Sequence, residues 1–287
     1  MGQQAHRTAR RRRLGAALRH LRETAGVTTA AAAEAIHGDG SKISRIETGR
    51  HRVTRLELDA LMGLYEVHES RTREWLIALA SEERNRSWWR QPGEPLSATF
   101  KEMLALESSA ASIGTFQAQV VPGLLQTRAY ATALINGSDP LPRDAVEFYV
   151  DLRMERQAIF RREVPPSYLC ILTEGVLHQH VGGPATMAEQ LRHMVDASRQ
   201  STVTVLVIPY TQTAFAAPGC SFIIFSHPAP LNLDVVAVEA LDGTRCLEDD
   251  EAVAKYHRAL GRLRTSALTA EQSVELIASI ARNFEHE

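Results

Sequence analysis

From position 14 onward, apolar residues recur at three- and four-residue steps: Leu14, Ala17, Leu18 and Leu21. That is the period of one helix face. Gly26 follows the last apolar turn, where a residue without a Cβ ends a helix most easily. Thr28 then reads as the N-cap of a second helix over 29–36, whose alanine run permits close packing against the first. His37-Gly38 reads as a turn and Asp39 as the N-cap of a third helix over 40–47, closed by Gly49. Two further helices fit 55–65 and 70–85. Short helices joined by tight turns, with basic residues on the third, predict an all-α helix-turn-helix domain.

The pattern changes after residue 86. The stretch SWWRQPGEPL, residues 87–96, holds two prolines and a glycine and reads as a linker with tryptophan anchors. Helical periodicity returns over 100–112, 123–136 and 142–160. Short β-branched or apolar runs then occupy 168–173, 203–208, 222–225 and 235–240, bounded by Pro, Gly, Asn or Asp. A helix over 187–199 lies among them, and helices over 249–265 and 270–283 close the chain. Thr269 and Gln272 have the spacing of a capping box. The expected architecture is a basic arm at 1–13, a helix-turn-helix domain at 14–86, a linker at 87–99, and an α+β regulatory domain at 100–287 with a small sheet packed by helices.

Charge sharpens this division. Residues 1–60 hold twelve Lys and Arg against six Asp and Glu, a net of +6; the whole chain carries −2, so the remainder carries −8. A basic first segment on an acidic body is the electrostatic footprint of a DNA-binding module joined to something else. The block Arg10-Arg11-Arg12-Arg13 is expected to track phosphates. Three widely spaced cysteines argue against a disulfide framework and for a reducing cytoplasm. No apolar run approaches the roughly 18 residues of a membrane span.

The most informative segment is SKISRIETGR, residues 41–50. Ile43 and Ile46 are three apart and face the core, which leaves Ser41, Lys42, Ser44 and Arg45 for the other face. A recognition helix enters the major groove with its N-terminal residues on base edges. Arg45, one turn on, is long enough for a guanine edge. Lys42, Ser44, Arg50 and Arg52, with Thr28, are placed for phosphates, which set affinity and register but not sequence.

LGAALRHLRETAGVTTAAAAEAI followed by SKISRIETGR resembles the lambda-repressor-like helix-turn-helix of the Cro/cI or XRE type, over about residues 14–66. The resemblance implies base-reading positions at Thr29, Gly40, Ser41 and Arg45. It also implies a structural ion pair between Arg22 and Glu47. Two features depart from that family's pattern: Thr29 stands where glutamine is usual, and the turn reads His37-Gly38-Asp39-Gly40.

The segments GTFQAQVVPGLLQTRAYATALI, LRMERQ, EGVLHQHVGGP, MAEQLRHM and VTVLVIPY resemble those of an actinobacterial family of antitoxin-like regulators with a C-terminal domain of unknown function. The resemblance implies a small partner protein encoded by an adjacent gene. The alternative is a small-molecule effector held in a pocket of the second domain. Catalysis is not expected: Glu174, His178 and His180 lack zinc-protease spacing, Gly182-Gly183-Pro184 lacks the lysine of a phosphate loop, and Cys170 sits in an apolar run. No metal or cofactor is expected. The expected state is a cytoplasmic homodimer on operator DNA, since one helix-turn-helix makes few contacts.

Overall fold

The computed structural model describes residues 9–80, 96–138, 141–212, 219–226, 234–240 and 243–287. The chain divides into two compact units. The first runs to Ser109 and the second holds residues 110–226 and 234–287.

The first unit is helical: α1 (Ala9–Thr24), α2 (Thr29–Ala35), α3 (Gly40–Glu47), α4 (Arg55–Leu64), α5 (Ser70–Ala80) and α6 (Ala98–Ser109). The starts of α2, α3 and α4 have local causes. Thr28 accepts the Ala31 N–H, Asp39 accepts the Lys42 N–H at 2.6 Å, and Thr54 and Glu57 form a capping box on α4. The stops of α1 to α4 share one motif. At each, a residue in the left-handed region (Gly26, His37, Gly49, Glu66) follows the cap. The next N–H reaches back to a carbonyl five residues earlier: Val27 to Arg22, Gly38 to Ala33, Arg50 to Arg45, Val67 to Met62.

The core of this unit is Leu14, Ala17, Leu18, Ala32, Ala33, Ile36, Ile43, Ile46, Leu58, Leu61, Met62 and Leu76 with their neighbours. α1 crosses the end of α3 at Gly15, where a Cβ would stand 2.4 Å from the Ile46 carbonyl oxygen. Only glycine permits that approach.

Several boundaries differ from the sequence reading. The arm expected over 1–13 is helical from Ala9, and Arg13 is buried, because the arginine block continues the first helix into contact with its neighbours. Residues 1–8 lie outside the described residues, as do 81–85 of the fifth helix and 87–95 of the expected linker. The linker's last two residues, 98 and 99, begin α6, which Ser97 caps through the Phe100 N–H. α6 belongs to the first unit, tied to α1 by Arg12 and Glu102 at 3.2 Å.

The second unit is a six-stranded mixed sheet packed by helices. Its strands are β1 (Ser112–Gln117), β2 (Ser167–Thr173), β3 (Val203–Ile208), β4 (Phe222–Ser226), β5 (Val235–Ala240) and β6 (Gly243–Leu247), in the order β3-β2-β1-β4-β5-β6. β1, β2 and β3 are parallel, while β4, β5 and β6 follow in antiparallel pairs. α7 (Arg128–Asn136) and α8 (Arg143–Arg156) connect β1 to β2, and α9 (Pro184–Ala197) connects β2 to β3. α10 (Asp250–Ser266) and α11 (Ala270–Glu285) follow the sheet, started by Asp249 and by the Thr269/Gln272 capping box.

Four of these strands are visible in the sequence, but β1 and β6 are not. The helix expected over 100–112 stops at Ser109, and β1 begins at Ser112. β1 reads Ser-Ile-Gly-Thr-Phe-Gln and is buried along nearly its whole length, polar Thr115 and Gln117 included, so it shows neither an apolar run nor an alternation that matches its burial. Gly114 admits α10: a Cβ there would lie 2.6 Å from Leu260 Cδ2. Leu260 and Leu263 of α10 pack on the sheet face formed by Phe116, Ile171, Leu206, Phe222, Ile224 and Val236. β6 is a half-exposed edge strand with no apolar run to announce it. The helices expected over 123–136 and 142–160 each include a 3-10 turn, Gly123–Leu125 before α7 and Gln157–Arg161 after α8.

Candidate nucleic-acid interface

α2, the turn at His37 and Gly38, and α3 form the helix-turn-helix. α3 is two-sided. Ile43 and Ile46 are 1% and 2% exposed and hold it to the core. Gly40, Ser41, Ser44 and Arg45 are exposed. Thr28 and Thr29, at the start of α2, are exposed as well, and so are Arg50 and Arg52 beyond α3. Thr28 spends its hydroxyl as an acceptor for the Ala31 N–H, which leaves the hydroxyl proton for a phosphate oxygen. Among the described residues, Arg45 and Arg50 form no ion pair.

Lys42 sits differently. Its ammonium is bound to Glu57 Oε1 at 2.5 Å, and both side chains are mostly buried, at 24% and 15% exposure. Glu57 Oε2 also accepts the Thr54 N–H at 2.7 Å. Burial pushes the Glu57 carboxyl up, but the hydrogen bonds from Lys42 and Thr54 outweigh it and hold the group below the usual carboxylate range. The capping carboxylate of α4 therefore anchors α3. The sequence reading missed Glu57 because a capping box explains that glutamate without any partner on α3.

Arg22 and Glu47 meet across α1 and α3. Arg22 Nε donates to Glu47 Oε1 at 2.6 Å and Nη2 to Oε2 at 3.1 Å, while Nη1 donates to the Val27 carbonyl at 3.1 Å. The hydrogen bond to Glu47 raises the Arg22 guanidinium above its ordinary value against the opposing effect of burial. Tyr65 packs nearby, and burial, helped by the Glu47 charge, pushes its phenol up to about 12.

Residues 13–75 match the helix-turn-helix domain, and residues 100–279 match the domain of unknown function DUF5753. The second match spans more than half of the chain. The chain belongs to the DUF5753 family. No curated protein and no solved structure matches it. It is a helix-turn-helix regulator with a DUF5753 C-terminal part, and the helix-turn-helix marks it as DNA-binding.

The other polar groups singled out in the DUF5753 part have local partners. His178 hydrogen-bonds Glu174 at 3.3 Å and stacks on Tyr210, whose N–H is taken by the same carboxylate at 2.7 Å. His180 packs edge-on against Phe284. Cys170 is fully buried in β2, and burial raises its thiol pKa. Asp234 accepts from Ser226 at 2.8 Å and pairs with His257 at 2.6 Å. Among the described residues, no His, Cys, Asp and Glu cluster is arranged to hold a metal ion, and no helix is long and apolar enough to cross a membrane.

Proposed function

We propose that this DUF5753 protein is a sequence-specific transcriptional regulator that binds operator DNA as a homodimer. α3 enters the major groove, with Ser41 and Arg45 on base edges and Gly40 and Thr29 at the closest approach. Ser44, Arg50, Arg52 and Thr28 contact phosphates, and Lys42 does so only by sharing its charge with Glu57. The observation that supports this reading is the two-sided α3: isoleucines buried on one side, small polar residues and an arginine without an ion pair on the other. Small side chains permit close approach to the groove, and the arginine supplies a bidentate donor for guanine. The DUF5753 unit supplies the regulatory input. By the resemblance of its segments, that input is a small protein encoded by an adjacent gene.

The test is fluorescence anisotropy of the purified chain on its own promoter DNA, with random DNA as competitor and salt varied. Tight binding that outlasts the competitor and weakens steeply with salt is expected. Two half-sites about 34 Å apart are expected for a dimer. Equal binding to promoter and random DNA would reject sequence-specific readout. Adding the adjacent gene's product is expected to shift the curve, and no shift would reject the partner.

A further inference from the structure

Two segments far apart in sequence meet in the second unit: the turn over 121–127 and the last turn of α8. The 121–127 turn is tied down from inside. Gln126 Nε2 donates to the Val121 carbonyl at 2.6 Å, and Gln190 Nε2 donates to the Leu125 carbonyl at 2.7 Å. Gln190 Oε1 accepts the Thr127 N–H at 2.7 Å, and the Tyr130 hydroxyl accepts the Val121 N–H at 3.2 Å. Gln126, Tyr130 and Gln190 are buried. A Cβ on Gly123 would lie 3.6 Å from Arg153 Cγ and 3.3 Å from Arg156 Nη1. Two arginines of α8 thus both reach the backbone at Gly123.

Arg153 Nη1 donates to Gln126 Oε1 at 2.6 Å. That acceptor is neutral, and it is itself fixed by Gln126 Nε2 and by Gln157, whose Nε2 holds the Gln126 carbonyl at 2.6 Å. Among the described residues, Arg153 forms no ion pair. Burial lowers its guanidinium to about 10, and the charge of Arg156 acts in the same direction, against the attraction of Glu239 and of Tyr130. A guanidinium taken out of water without a counter-charge is costly, and such groups are normally matched by a carboxylate or a phosphate. Arg153 remains half-buried, so the site is open to solvent on one side. The rest of its planar donor fork suits bidentate recognition of an anion.

We propose that Arg153, with Arg156 adding positive potential, binds the phosphate or carboxylate group of a small-molecule ligand, a second input to the DUF5753 unit beside the partner protein proposed above. Neutral glutamine positions the guanidinium without neutralising it, which leaves its charge for the ligand. Because Arg153 is half-buried, the terminal anion of a small ligand reaches it more readily than a flat protein surface does. The proposal is independent of operator binding, and its test uses no DNA.

The test is isothermal titration of the full-length chain with pyrophosphate and, separately, with citrate, at constant ionic strength. Saturable binding of at least one of the two is expected, and which one binds decides between phosphate and carboxylate. Arg153→Gln is expected to weaken it at least tenfold. The double variant Arg45→Ala/Arg50→Ala is expected to bind the anion like the wild type. Should Arg153→Gln fail to fold by circular dichroism, Arg153→Lys keeps the charge but loses the fork, and a several-fold loss is expected. Three results would each overturn the proposal: no binding of either anion, wild-type affinity in the folded Arg153 variant, or loss of binding in the Arg45/Arg50 variant, which would place the anion on the DNA-facing side.

Discussion

Arg22 and Glu47 form a bidentate ion pair, at 2.6 and 3.1 Å, between the end of α1 and the end of α3. The two side chains are 11% and 8% exposed, so each charge depends on the other for its solvation. The third arm of Arg22 holds the Val27 carbonyl, just before α2. One side chain thus ties α1 to the end of α3 and to the turn before α2.

Removing one half of this pair strands the other. Arg22→Ala is expected to destabilise the chain by about 3–5 kcal/mol, because the Glu47 carboxylate is left buried and unmatched. The double variant Arg22→Met/Glu47→Leu should recover much of that loss, since a well-packed apolar pair has no desolvation cost. Urea unfolding followed by circular dichroism measures both. A loss below about 1 kcal/mol in the single variant would mean that water replaces the partner.

The Lys42–Glu57 contact predicts a pH dependence. The folded Glu57 carboxyl titrates below its unfolded value. Its contribution to stability is therefore fully present above the unfolded value, about pH 4.3, and is lost as pH falls through the depressed folded one. The wild type should exceed Glu57→Gln in melting temperature by a constant margin between pH 6 and 8 (roughly the plateau set by that unfolded value). That margin should shrink as the buffer is acidified below it. A margin that does not change with pH would show that the carboxylate's charge contributes nothing.

His37 occupies the left-handed position that glycine takes after α1 and α3, with φ of 49°. A residue with a Cβ is strained there by about 1–2 kcal/mol. His37→Gly should remove that strain and raise stability by about 1 kcal/mol, read as an upward shift in urea midpoint. Gly49→Ala should do the opposite, and more strongly: its Cβ would stand 2.8 Å from the Arg12 backbone nitrogen as well as adopting a positive φ. A destabilised His37→Gly would show that the imidazole makes a compensating contact.

Arg45 and Arg50 should separate specificity from affinity. Arg45→Ala is expected to cost about 1–3 kcal/mol on the operator and to relax discrimination at one base pair. Arg50→Ala should weaken all DNA about equally and reduce the slope of log K against log salt by about 1. Anisotropy titrations on operator, mutated operator and random duplex distinguish the two. Unchanged discrimination in Arg45→Ala would remove that residue from the base-reading set.

Much of the first unit is legible because its determinants are local. Thr28 and Asp39, both expected as N-caps, cap the helices they precede through contacts three residues along the chain. Gly26 and Gly49 mark helix stops that any reader of backbone geometry would place there. His37 and Glu66 fill the same role without the glycine signal, so the shared stop motif emerges only from their positive φ. The arginine block at 10–13 has the composition of a free arm, yet Arg13 is buried, because helix packing and not charge decides where α1 begins.

By itself, the sequence determined the order of the helices, their caps, the apolar side of α3 and the basic charge of the first unit, since each follows from residues within one or two turns of each other. Tertiary structure decided which distant segments meet. It seated β1 between β2 and β4, where polar Thr115 and Gln117 are buried beside Ile113 and Phe116 and Leu260 packs over Gly114. It turned Lys42 toward Glu57, and it set Arg153 against Gln126 across 27 residues of chain. Such pairings depend on burial and on the scarcity of counter-charges inside a folded unit, and the spacing of residues along a chain encodes neither.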